Sequence, residues 1–95
     1  MLNNKQIKAL KAEAHHLKTI VSVGSKGITD KVISEITKTI NFHELIKIKI
    51  QLDAKQDRLA IAEQICQATS SEFVQLIGKQ AVIFKQKVKE SKFSL

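Results

Sequence analysis

Between Glu44 and Asp53 apolar and polar side chains alternate almost without interruption, and this run restricts the fold more than any other stretch of the chain. Ile46, Ile48, Ile50 and Leu52 fall on one side of an extended backbone; Leu45, Lys47, Lys49 and Gln51 fall on the other. Such a strand turns one face to a core and leaves the other wet and positive. A doubly wound parallel sheet asks instead for strands that are apolar on both sides.

The rest of the chain is read outward from this strand. Ile7, Leu10, Ala14 and Leu17 recur at helical spacing and predict a helix over 4–16. Lys8, Lys11, His15 and Lys18 recur one position later, as a basic stripe beside the apolar one. A strand is expected at 19–23. A helix follows to Ile40, capped by Thr29, with Asp30 favourable in its first turn and Val32, Ile33, Ile36 and Ile40 facing the core. After the alternating strand, 55–69 reads as a third helix with Leu59, Ala62, Ile65, Cys66 and Thr69 on or near one face. Strands at 72–77 and 80–85 are joined by Gly78-Lys79, which suits a two-residue hairpin with glycine first. The order α-β-α-β-α-β-β predicts an α+β, two-layer α/β domain, with helices against one face of a mixed four-stranded sheet. This pattern does not place the N-terminal helix. With no proline and three glycines in 95 residues, little of the chain is left for loops, and one domain is expected over 1–86, with a basic, fraying tail over 87–95.

The sharpest local motif is Val23-Gly24-Ser25-Lys26-Gly27-Ile28, two glycines bracketing a two-residue tip between a strand and a helix. Glycine tolerates positive φ and lets a ligand approach the backbone closely. Amides at such a turn suit an anion such as phosphate, and Lys26 adds a mobile charge. A β-branched residue at Gly24 is therefore expected to harm both stability and binding. The Walker and dinucleotide glycine patterns are absent. By itself G-x-x-G also fits a plain turn, so the rest of the chain decides.

Charge adds weight to the anion reading. The net charge is +7, nearly all from lysine, with Arg58 the single arginine. Both ends of the chain are basic, while 53–72 is acidic through Asp53, Asp57, Glu63 and Glu72. That asymmetry suits a polyanion. Groups able to do acid–base work are few. His15 and His16 are adjacent and poorly placed for one metal, and His43-Glu44 reads as a turn between helix and strand. Cys66 reads as a small core residue, with no partner for a disulfide. No metal, cofactor or catalytic set is expected. With neither Trp nor Tyr and four scattered phenylalanines, base stacking of the RRM type is poorly supported. No apolar run approaches a membrane span and the N-terminus lacks a signal peptide, so a cytoplasmic protein without a membrane partner is expected.

Four segments taken together resemble the CRM domain (chloroplast RNA splicing and ribosome maturation) in its stand-alone bacterial form, the YhbY-type RNA-binding protein. They are Ala14-His15-His16-Leu17-Lys18, Val23 through Thr29, His43-Glu44-Leu45-Ile46-Lys47-Ile48-Lys49, and Gln75-Leu76-Ile77-Gly78-Lys79. They stand in the family's order and spacing over nearly the whole chain. Thr19 departs from a frequent proline, and Phe84 from a nearby aromatic hydroxyl. The resemblance implies a fold like the C-terminal domain of translation initiation factor three. It also implies RNA binding through a basic surface that includes the glycine loop, and association with large-subunit ribosome precursors. On this reading Gly24, Ser25, Lys26 and Gly27 line the RNA backbone, and Lys8, Lys11, His15 and Lys18 extend the track. The protein is then a monomeric, non-enzymatic binder of RNA, rRNA in particular. Whether Lys47 and Lys49 join the track is left open. Two rivals remain: a protein-interaction adaptor using the acidic helix and the open sheet face, and an enzyme acting on a small anion.

Overall fold

The computed structural model describes residues 2–93. The elements come in the expected order: α1 (Asn4–Ala14), β1 (Thr19–Val23), α2 (Asp30–His43), β2 (Leu45–Ile50), α3 (Lys55–Thr69), β3 (Glu72–Ile77) and β4 (Gln80–Phe84). The sheet order is β1-β2-β4-β3, with β1 parallel to β2 and the other pairs antiparallel. This is the mixed four-stranded α+β sheet that the pattern predicts.

Local chemistry sets most boundaries. Asn3 and Gln6 cap α1 reciprocally: the Asn3 side chain accepts from the Gln6 amide at 2.8 Å, and the Gln6 side chain from the Asn3 amide at 2.9 Å. The helix stops at Ala14, short of the expected residue 16, because the amides of His16 and Leu17 bond to Glu13 and Ala14, three residues back. Thr29 caps α2 through the Val32 amide at 3.2 Å. That helix runs three residues past Ile40. β2 is shorter than the alternation, since Glu44 closes α2 and the chain turns away after Gln51. Arg58 fixes that departure by donating to the carbonyls of Leu52 (2.8 Å) and Asp53 (2.7 Å). Gly78 takes φ +56 and Lys79 does not share the positive φ, as a hairpin with glycine first requires.

The sheet carries core on both faces. Val21, Val23, Ile46, Ile48, Ile50, Ala81 and Ile83 pack under α2 and α3. Leu45, Val74, Val82 and Phe84 pack under Leu10 and Ala14 of α1. The helices therefore do not all share one face: α1 lies opposite α2 and α3. The reason is that Leu45 opens an apolar strip on the second face, continued by Val82 and Phe84, and only the Lys47–Lys49 half is left wet. The tail also departs from the fraying expected of it. Residues 85–93 have no regular structure but are fastened down. The Phe93 ring meets Phe84 edge-on at 5.2 Å, and Ser91 and Lys92 donate to the Glu44 carboxylate. Residues 94 and 95 of the expected tail lie outside the described residues.

Candidate nucleic-acid interface

β1 ends on buried Val23, whose carbonyl accepts from Gln51 at 2.9 Å, and the chain leaves the sheet at Gly24. The Gly27 amide donates to the Gly24 carbonyl at 3.0 Å, closing a tight turn with Ser25 and Lys26 exposed at its tip. Among the described residues the Ser25 and Lys26 amides have no acceptor, whereas the Gly27 amide is occupied by the turn. Thr29 already satisfies one amide at the start of α2, so an anion here would meet the turn amides and the Lys26 ammonium more than the helix dipole.

The two glycines differ. Gly27 sits at φ +74, where a side chain is strained. Gly24 has no positive φ, and a Cβ added there would meet nothing within 4 Å. The expected stability cost of a β-branched residue at Gly24 is thus corrected. The backbone does not need that glycine, and open space surrounds it.

Leu10 and Ala14 anchor α1 to the sheet and leave Lys8 and Lys11 exposed on its outer side. His15 caps the helix. Lys18 falls in the link beyond it, so the four-residue stripe is helical only in its first half. These residues do not meet the loop. α1 lies across the end of the sheet that holds Leu45 and Phe84, and the Leu2 amide donates to Glu72 there at 3.3 Å. The loop adjoins the other end, beside Ile50. The five residues of β1 span the gap, roughly 16 Å at about 3.3 Å per residue. Half-buried Lys47 and exposed Lys49 occupy the ground between, on the face that α1 covers. Lys49 stands opposite Ser22, two residues before Gly24. α3, with Asp57 and Glu63, packs on the other face.

Cys66 is buried on α3, and burial, with help from Glu72 and Glu63, raises its thiol from 9.0 to about 11. It is a core residue as expected. His43 is exposed and its ring meets Phe42 edge-on at 4.8 Å. Sequence reading missed two residues at this end of α2. Glu44 is fully buried at φ +69, and Phe42 is largely exposed. A glutamate directly before an apolar strand was the available signal for the first; for the second, none of the helix's core positions falls at Phe42.

A profile of the CRS1 / YhbY (CRM) domain matches residues 2–85. A Pseudomonas aeruginosa protein named "Probable RNA-binding protein" is 37% identical over 91 residues, covering 96% of this chain and 88% of the relative. A Bacillus subtilis protein with the same description is 36% identical over 92 residues, covering 97% and 95%. In structure, the chain resembles a Staphylococcus aureus protein solved in solution and described as an RNA-binding candidate. The TM-score is 0.90 at 34% identity, with 100% of this chain and 99% of that one covered.

Proposed function

The chain belongs to the CRS1 / YhbY (CRM) domain family, and from that premise we propose that it binds RNA without catalysis, as a cytoplasmic monomer that assists assembly of the large ribosomal subunit. The observation that supports this reading is a lane of lysines, half-buried at Lys47 and otherwise exposed. It runs from Lys8 and Lys11 on α1, past Lys47 and Lys49, toward a turn with two free amides and Lys26 at its tip. The relatives named as RNA-binding proteins support the same partner. Lysine is a strongly hydrated point charge, so these contacts give affinity and orientation rather than base readout. Specificity then comes from RNA shape or from neighbouring ribosomal proteins.

An adaptor role has less behind it. Exposed Ile20 and Ile77 lie on β1 and β3, the two opposite edges of the sheet, and form no shared apolar patch. Filter binding of a structured RNA across salt tests the RNA reading: affinity should fall by orders of magnitude between low and moderate salt, and a flat response would remove it. Co-sedimentation with ribosomal subunits then tests the large-subunit assignment; even distribution over both subunits would reject it.

A further inference from the structure

The end of the molecule farthest from the glycine turn holds a second basic surface that the lysine lane does not explain. Phe42, near the C-terminus of α2, is 64% exposed and belongs to neither core cluster. The ammonium groups of Lys87 and Lys92 each lie 5.5 Å from its ring centroid, and the His43 ring stands against its edge. Among the described residues neither lysine pairs with a carboxylate. Beside the ring, Asn41, Lys85, Gln86, Lys87, Val88 and Lys89 line an open groove of about 410 Å³.

This arrangement is built rather than incidental. The tail has no regular structure of its own, and Glu44 holds it in place. The Glu44 carbonyl accepts from the Lys85 amide at 2.8 Å. Its carboxylate accepts from Ser91 Oγ at 2.8 Å and the Lys92 amide at 3.1 Å. A non-glycine residue at φ +69 is strained, and these bonds hold it there. The fold thereby brings two like charges, with no ion-pair partner among the described residues, to one exposed aromatic ring.

We propose that Phe42 is a stacking platform for an unpaired nucleobase, with Lys87 and Lys92 taking the phosphates on either side of it. The inference rests on the RNA-binding reading and deepens it: the duplex-like part of the RNA lies on the lysine lane, and an unpaired nucleotide at its edge reaches Phe42. Charge decides the class of occupant, because a flat π surface ringed by ammonium groups fits a base joined to phosphates. Loose cation–π contacts at an exposed ring are weaker than base stacking, so a base displaces the ammonium groups toward phosphate. Glu13 and Leu17 share a hollow with His43 and Lys92, which places the end of α1 near the platform.

The test uses an RNA hairpin with a single-stranded overhang and the same hairpin made blunt, with the full chain. Phe42→Leu should weaken binding of the overhang hairpin on the order of tenfold and leave the blunt one unchanged. Phe42→Trp should keep full affinity. Because the chain has neither Trp nor Tyr, the introduced indole is the only such reporter, and the overhang hairpin alone should quench it. Equal loss on both hairpins, or no loss and no quenching, overturns the platform. So does an indole signal that responds to protein concentration and not to RNA, which would make the ring a protein contact. Lys26→Ala separates the two levels. If it weakens both hairpins while Phe42→Leu changes neither, the platform fails and RNA binding stands; if the unaltered chain binds neither hairpin, the RNA reading itself fails.

Discussion

The two ends of α2 both pass through positive φ, and they manage it by opposite means. At the start, Gly27 takes φ +74 with no Cβ to strain and exposes a turn to solvent. At the end, Glu44 takes φ +69 with a full side chain that is wholly buried and hydrogen-bonded to the tail. A glycine leaves a backbone open to a ligand. A buried carboxylate makes the same kind of turn into an anchor for a distant segment. The difference teaches that a strained junction is cheap where it must stay bare, and expensive but structurally productive where it must hold something.

The largest effect should come from breaking the anchored end. Glu44→Ala strips the acceptor from Ser91 and the Lys92 amide while keeping the strained backbone. It should lower stability by about 3 kcal/mol in urea unfolding, since bonds to buried charged groups are among the strong ones. It should also open residues 86–93 to proteolysis. Glu44→Gly removes the same acceptor but relieves the φ strain, so it should be milder than alanine by about 1 kcal/mol. If the two variants are equal, strain at Glu44 is not part of the balance.

At the bare end, Gly27→Ala should cost about 1–2 kcal/mol from the left-handed backbone alone, because its Cβ meets only Ile61 Cδ1, at 3.9 Å. Gly24→Val sharpens the contrast. With an ordinary φ and open space it should unfold within about 0.5 kcal/mol of the parent, yet lose RNA affinity by blocking the backbone. A matching drop in stability would mean that Gly24 has the same role as Gly27.

Away from both ends, Cys66→Ala measures plain core packing and should cost about 1 kcal/mol with RNA binding intact. Its ionisation gives a pH signature. The folded thiol titrates near 11 against 9.0 unexposed to the protein field, so the unfolded chain loses its proton first. This contribution to stability is complete below pH 9 and declines from there to about pH 11. A Cys66→Ala variant should lack that decline, and unfolding midpoints measured from pH 8 to 11 check it. Smallest in stability is Lys26→Ala, expected within about 0.5 kcal/mol. It should nonetheless shrink the salt dependence of RNA binding by about one phosphate contact, equally across RNA sequences. An unchanged slope would take Lys26 out of the interface.

What the sequence determined by itself is what neighbouring residues decide among themselves. The alternation from Ile46 to Ile50 makes a half-wet strand, Thr29 starts a helix, Gly78-Lys79 turns a hairpin, and Gly24 to Gly27 close a turn. Each depends on periodicity or capping within a few residues, and each is where the pattern puts it. Tertiary structure decided the rest. Leu45 looks like a polar-face residue in its own strand and becomes core only because Val82, Phe84 and Val74 stand beside it and draw α1 to that face. Gly24 and Gly27 are the same letter, and only the folded backbone shows that one is required. Glu44 reads as the end of a helix, yet it binds residues 47 and 48 positions away and thereby sets where the tail, Phe42 and two lysines meet. Contacts of that range leave no periodic trace, because their partners are chosen by the geometry of the whole sheet and not by the spacing of side chains along the chain.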